Sequence, residues 1–306
     1  MIQRSLLLVS LLLAGGCVSL VPYEQLIAGV PPERLLSLDG IRVYVEDRGA
    51  GEAVLLVHGF GGSSYSWREV ARELATDFRV VTVDLAGFGL TERPRRKRDY
   101  SRFAQGERLI GALDALGIER AHLVGHSYGG SISVALAVRR PERFLSLTLV
   151  NSAAPDYPRL RRSPGAALRP LTHLFVRVRS LRRANIEAGL RRSAADGSIV
   201  TDELVDQYWR RLAVEGSPRA FWGLTTPLTD PQGSVSTSDL RLPTLLIWGE
   251  EDVLIPAAGA RRSSTQIPAS RFVLLPAAGH APMEDKPREL ALLMRRFFSA
   301  GLAVFD

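Results

Sequence analysis

The chain holds a single cysteine, Cys17, among 306 residues, which excludes an internal disulfide framework. Lysine is nearly missing as well. Lys97 and Lys286 stand alone, so arginine supplies almost all of the 39 basic residues set against 32 acidic ones. No apolar run reaches the ~20 residues of a membrane-spanning helix. Metal-ligand spacings, a phosphate-binding glycine loop and a dinucleotide fingerprint are absent: Gly59-Phe60-Gly61-Gly62 is too short and lacks a following Lys-Ser/Thr. No cofactor and no metal is implied. Imidazole is scarce, with His58, His122, His126, His173 and His280 the full supply. At 46% hydrophobic residues and without repeats, the rest of the composition suits one domain with a full core and an insertion.

What is present is concentrated around Val124-Gly125-His126-Ser127-Tyr128-Gly129-Gly130. Apolar Ala121, Leu123 and Val124 precede the turn, and Ile132, Val134, Ala135 and Leu136 follow it. A short buried strand therefore runs through a sharp G-x-S-x-G turn straight into a helix. Such a turn needs very small neighbours at 125 and 129, which would otherwise collide with the strained backbone at Ser127. It lifts the Ser127 hydroxyl clear of the sheet, beside a helix N-terminus. A serine hydroxyl needs a general base, and the base needs an orienting acid. His280 lies in the loop after the apolar run 272–275, and Asp252 lies just past the apolar run 245–248. All three fall in loops at the C-terminal ends of strands, the edge of an open parallel sheet where functional loops converge. Glu250, Glu251 and Asp156 are competing acids near strand ends.

The chain order Ser127, Asp252, His280 resembles the α/β-hydrolase family over roughly residues 37 to 300. Further matching pieces are His58-Gly59-Phe60-Gly61-Gly62, Asp84-Leu85-Ala86-Gly87-Phe88-Gly89 and Gly279-His280-Ala281-Pro282-Met283-Glu284-Asp285-Lys286-Pro287. The resemblance implies Ser127 as nucleophile, His280 as base and Asp252, shortly before Ile255-Pro256, as the acid. It also implies an oxyanion hole from the backbone N–H groups of Phe60 and Tyr128. Ala86 departs from the proline common in this glycine-rich turn. His58, His122 and His126 read as packing or hydrogen-bonded residues, and Asp84 as a brace for its own turn. Within the family, Asp-nucleophile dehalogenases and epoxide hydrolases are set aside by Ser127. Carbon–carbon hydrolases commonly carry Asn where His126 stands. The expected reaction is ester hydrolysis through an acyl-enzyme. Cofactor-free perhydrolysis, carbon–carbon cleavage, amidase action and a non-turnover receptor are the alternatives.

The layout agrees with an α/β-hydrolase fold, a mainly parallel sheet covered by helices on both faces. Residues 36–38 and 41–45 read as a hairpin around Asp39-Gly40. Apolar runs follow at 54–57, 79–83, 121–124, 145–150, 244–248 and 271–275, separated by amphipathic stretches near 66–75, 101–117, 130–139 and 287–299. The core is thus expected at 37–155 and 233–306. Residues 156–232 break the rhythm and read as a helical cap, with helical pieces at 168–191 and 201–213. By resemblance the cap lies over the nucleophile. Its aromatics Tyr157, Phe175, Tyr208, Trp209, Phe221 and Trp222 either line an apolar substrate pocket or fill the cap's own core. Tyr157, Phe175, Trp209 and Trp222 are taken as the pocket set.

The N-terminus bears on location. Met1-Ile2-Gln3-Arg4, an uncharged Leu-rich stretch and Ala14-Gly15-Gly16 before Cys17 have the form of an export signal. It resembles a bacterial lipoprotein signal, with residues 1–16 removed, Cys17 lipidated and 17–36 a tether. An uncleaved anchor and an ordinary secreted signal are the alternatives. Val18 after the cysteine points to an outer-membrane home or the outer face of the cell membrane. The expected partners are a small-molecule or lipid ester and the membrane, and export argues against nucleic acid. The basic run Arg93-Pro94-Arg95-Arg96-Lys97-Arg98 either meets acidic headgroups or reflects a composition bias spread over a solvated surface.

Overall fold

A computed structural model describes residues 19–152, 181–225 and 235–305. Its strands are β1 (Leu35–Leu38), β2 (Ile41–Arg48), β3 (Ala53–Val57), β4 (Arg79–Val83), β5 (Ala121–His126), β6 (Phe144–Val150), β7 (Thr244–Gly249) and β8 (Ser270–Leu275). The helices outside the insertion are α1 (Tyr23–Leu26), α2 (Arg68–Leu74), α3 (Arg102–Ala115) and α4 (Tyr128–Arg139). Those within it are α5 (Arg183–Ser193), α6 (Asp202–Leu212) and α7 (Ser217–Thr225). The chain closes with α8 (Ala257–Ser264), α9 (Pro282–Asp285) and α10 (Pro287–Ala300).

The strands form one sheet in the order β1-β2-β4-β3-β5-β6-β7-β8. The first two pairings, β1 with β2 and β2 with β4, are antiparallel, and the rest are parallel. Alternation assigns the faces, because successive strand side chains point to opposite sides. Leu55, Val57, Leu123 and Leu147 join the core with Leu109, Leu113 and Ile132 of α3 and α4. Val54, Leu56, Val124 and Ile247 join Val70 and Leu74 of α2 with Leu290, Met294 and Phe297 of α10. The α/β-hydrolase architecture expected from the sequence is the one observed.

Residues 19–34 are not a loose tether. Val21 N–H donates to Ala213 O at 2.8 Å and its carbonyl accepts from Glu215 N at 2.9 Å, which stitches the segment to the α6–α7 connection. Tyr23 Oη donates to Leu90 O at 3.0 Å, and the Arg42 guanidinium stacks over the Tyr23 ring at 4.7 Å while bonding Glu24. Prolines start short helical turns in this segment: Pro22 precedes α1, and Pro32 is the first residue of a 3₁₀ turn at Pro32–Arg34. Cys17 lies outside the described residues, as do Tyr157 and Phe175 and the 168–180 part of the expected cap helix. Among the described residues no helix is long and apolar enough to cross a membrane.

The basic run also divides. Arg95 to Arg98 are exposed, but Arg93 is 4% exposed and cannot meet a headgroup. Its guanidinium donates to Gly89 O (2.8 Å), Thr91 O (2.6 Å) and, across to the C-terminal end of α6, Arg211 O (2.6 Å). Burial alone pushes this side chain down to about 10.

Candidate active site

The turn after β5 adopts the predicted strained form, with Ser127 at φ 49°, ψ −116° directly before α4. Its glycines are required, but for a different reason from the one expected. A Cβ at Gly129 would sit 2.4 Å from His58 O and 2.6 Å from Val57 O; one at Gly125 would sit 2.6 Å from Gly130 Cα. The nearest collisions are with the end of β3, the residue after it and the start of α4.

The Ser127 Oγ lies 3.0 Å from His280 Nε2, and His280 Nδ1 lies 2.9 Å from Asp252 Oδ2. The structure thus brings together the three residues picked from the sequence, from the ends of β5, β7 and β8. The Asp252 side chain is fully buried. Its Oδ1 accepts from the amides of Leu254 (2.8 Å) and Ile255 (2.9 Å), and its Oδ2 also accepts from Asn151 Nδ2 at 2.6 Å. Burial opposes ionisation, yet the His280 hydrogen bond and charge, with the Asn151 and Ile255 donors, hold the carboxyl below the usual carboxylate range. Glu250 and Glu251 donate their backbone N–H groups to Leu275 O and Ala278 O, and it is the Asp252 carboxylate that meets His280.

The amide of Tyr128 is the first of α4, where an N–H has no intrahelical acceptor. The amide of Phe60 finds no acceptor among the described residues. The loop carrying it is fixed by His58, whose Nε2 accepts from Leu85 N at 3.0 Å. Asp84 braces its turn through the amides of Ser64 (2.5 Å) and Leu90 (2.6 Å). Ala86 has a use for the amide that proline would lack: it donates to Gln105 Oε1 at 3.0 Å.

His126 lines the site but is fixed elsewhere. Its Nε2–H donates to the His280 carbonyl at 2.8 Å, and the two rings lie 5.0 Å apart. Burial, then the charge of His280, drives its pKa down to about 3. It therefore stays neutral beside an imidazolium. The same shift makes a stability prediction. Between pH 6.5 and 3 the unfolded chain binds a proton at this position that the folded chain refuses. Each pH unit of acidification in that window therefore removes about 1.4 kcal/mol of stability per such histidine. His58, lowered by burial, steepens the loss. Urea unfolding at pH 7, 6 and 5 is expected to give falling stability, with a shallower fall in His126→Asn. Equal slopes for the two proteins would contradict the assignment.

Over these groups lies a cavity of about 340 Å³, walled by Phe60, Leu254, His280 and Met283 of the core and by Ile186, Leu190, Tyr208, Leu212 and Phe221 of the insertion. Trp209 and Trp222, two of the expected pocket residues, do not line it. Each sits one position from a residue that does, and one position on a helix is a rotation of about 100°. Trp209 instead donates Nε1–H to Leu181 O at 3.0 Å, and Trp222 faces outward, 36% exposed. Tyr208 Oη bonds Ser66 Oγ (2.9 Å) and Glu284 Oε1 (2.7 Å), while Arg68 clasps Glu284 through both oxygens at 2.8 and 2.7 Å. The insertion also meets the His280 loop directly: Ala281 N–H donates to Ser193 O, and Asp285 accepts from the amides of both Gly279 and Ala195.

An imidazole oriented by a buried carboxylate and bonded to a hydroxyl can take that hydroxyl's proton as it attacks a carbonyl. Known proteins carry the same frame. Residues 52–287 match the family described as alpha/beta hydrolase fold. A 2-hydroxymuconate semialdehyde hydrolase of Pseudomonas sp. (strain CF600) is 32% identical over 275 residues, covering 85% of this chain and 91% of that protein. The solved structure of a meta-cleavage product hydrolase from Pseudomonas fluorescens IP01 superposes with a TM-score of 0.72 at 28% identity, covering 86% of this chain and 96% of that one. A structure titled as a membrane phospholipase A, a bacterial virulence factor, gives a TM-score of 0.70 at 25% identity and covers 98% of this chain and 99% of its own. With its sheet order, its serine turn and this match, the chain belongs to the α/β-hydrolase family.

Proposed function

We propose that this hydrolase cleaves carboxylic esters with an apolar acyl or alcohol part, by acyl-enzyme chemistry. Ser127 attacks the carbonyl, and His280 takes its proton and returns it to the leaving alcohol. Asp252 orients the ring and stabilises the imidazolium, and the amides of Phe60 and Tyr128 receive the oxyanion. Water then repeats the cycle on the acyl-enzyme. The observation that carries the reading is the continuous Asp252–His280–Ser127 hydrogen-bond chain, whose His280 lines a cavity walled largely by aliphatic and aromatic side chains. An apolar wall holds an acyl chain at roughly 25 cal/mol per Å² buried.

The second reading is carbon–carbon bond hydrolysis, favoured by the names of the curated relative and of the solved neighbour. A muconate-type substrate carries a carboxylate. Among the described wall residues the one Lys or Arg is Arg192, and it is exposed to solvent. That favours the ester.

The proposal includes export and lipidation at Cys17. Val21 lies four residue steps beyond Cys17, a reach of at most about 14 Å. An acylated Cys17 therefore holds the insertion side of the molecule close to the bilayer, because Val21 is bonded there. The neighbour titled as a membrane phospholipase, which spans nearly the full chain, supports this placement.

One experiment tests both parts. p-Nitrophenyl esters from acetate to palmitate and a ring-fission dienoate are offered to the wild type and to Ser127→Ala, while cell fractions are assayed for wild type and Cys17→Ser. Ester turnover rising with chain length, and envelope activity that becomes soluble in Cys17→Ser, are expected. Turnover of the dienoate alone would overturn the ester reading, and unchanged fractionation would overturn the anchor.

A further inference from the structure

Asn151 directly follows β6 with φ 42°, a left-handed conformation that asparagine tolerates better than most residues. It is fully buried. Its carboxamide touches each of the other loops that hold the acid and the base. The Nδ2 donates to Asp252 Oδ2 at 2.6 Å and to Gly279 O at 3.2 Å, and the Oδ1 accepts from Gly249 N at 3.2 Å. The orientation of the amide follows from chemistry. The Gly249 N–H only donates and an ionised carboxylate only accepts, so Oδ1 must face the first and Nδ2 the second.

We infer that Asn151 is a positioning residue for the hydrolytic centre, acting through Asp252 on the orientation of His280. The inference rests on the acyl-enzyme reading above. The carboxylate has room for about four hydrogen bonds. Leu254 N and Ile255 N occupy Oδ1, and His280 Nδ1 shares Oδ2 with Asn151. Without the amide, Oδ2 keeps His280 as its one partner, and the hold on the carboxylate from the Oδ2 side, which sets its aim at His280, is weakened while the two amides still hold Oδ1. The same side chain bonds Gly279, the residue before His280, so its loss also slackens the base's own loop. A short, charge-assisted hydrogen bond is among the stronger contacts a side chain makes.

The decisive variant is Asn151→Gly. Glycine accepts a positive φ without strain, so the backbone is kept while the carboxamide is removed. Asn151→Asp is the second variant: it retains an oxygen for Gly249 N and replaces the donor with an acid. Ester kinetics are measured on the intact protein together with the downfield proton signal of the His280 Nδ1–H. Asn151→Gly is expected to lose about 10- to 100-fold in kcat, the effect of one hydrogen bond to a charged group, with KM changed less than about 3-fold. The downfield signal should shift or broaden. A merely structural role at the strand end predicts otherwise: Asn151→Gly keeps kcat within about 3-fold and the signal stays in place, which overturns the inference. If Asn151→Gly fails to fold, Asn151→Asp decides by the same two readouts, with unchanged kcat and signal again overturning it. Ser127→Ala in the same assay separates the two proposals. Its retaining turnover sinks the acyl-enzyme reading, whereas loss in Ser127→Ala with none in the Asn151 variants sinks only the positioning role.

Discussion

Ser127→Ala is expected to lower kcat by about 10⁵- to 10⁶-fold while leaving a folded protein, because removing the nucleophile of such a unit costs about as much as removing the whole unit. The residual rate would come from the amides of Phe60 and Tyr128 and from substrate binding in the cavity. A second substitution at the same position separates chemistry from strain. The backbone at Ser127 lies at φ 49°, ψ −116°, outside the regions an L-residue favours. Alanine inherits that strain; glycine does not. Ser127→Gly and Ser127→Ala should therefore be equally inactive, while the glycine variant is more stable than the alanine variant by about 1 kcal/mol. Both lose the same 3.0 Å contact with His280 Nε2, so that loss cancels in the difference. Steady-state kinetics and urea unfolding of the pair check it. Turnover by Ser127→Ala within tenfold of wild type would rule out a serine nucleophile, and equal stabilities would show that the turn stores no strain.

The part of this protein that could be read from sequence is the part governed by short-range periodicity. The hairpin at Asp39-Gly40 is an example: both residues adopt positive φ, at 52° and 72°, as a tight two-residue turn requires. The parallel strands announced themselves as apolar runs, and Ser127, Asp252 and His280 followed because each sits at a fixed offset from such a run. What was misread depends on contacts distant in the chain. Residues 19–34 look like a linker locally, with three prolines and no strand or helix periodicity of useful length. Their order comes from Val21 meeting the α6–α7 connection nearly two hundred residues away. Of the pocket set, Trp209 and Trp222 miss the cavity on helix register. Composition placed aromatics at 208–209 and 221–222, but which of each pair faces the cavity is set by how α6 and α7 dock on the core. Helix α7 lies beyond the helical pieces expected in the insertion; Pro218 is its second residue, where a missing N–H costs nothing. Asn151 carried no signal, since an asparagine after a strand is common in turns.

Asp252→Asn is expected to cost about 10⁴-fold in kcat at neutral pH, the scale set by a wrong histidine tautomer. The geometry makes the tautomer error unavoidable here. Two backbone amides, those of Leu254 and Ile255, aim at Oδ1. An asparagine at 252 must present its only oxygen to them, because turning the NH₂ toward two donors would leave three buried polar groups unpaired. Its NH₂ then faces His280 Nδ1, which must become an acceptor, so the ring proton moves to Nε2. That nitrogen lies 3.0 Å from Ser127 Oγ and can no longer take the serine proton. The NH₂ also meets Asn151 Nδ2, whose acceptors among the described residues are Gly279 O and the lost carboxylate oxygen. A donor facing a donor in a buried site is expected to remove a further 1–3 kcal/mol or so of stability. Two measurements follow. Fluorophosphonate labelling of Ser127 should slow in parallel with kcat, since both need the same proton transfer, while KM for a long-chain ester changes little because the cavity wall is untouched. Labelling at the wild-type rate in Asp252→Asn would mean that the carboxylate does not govern the His280 tautomer.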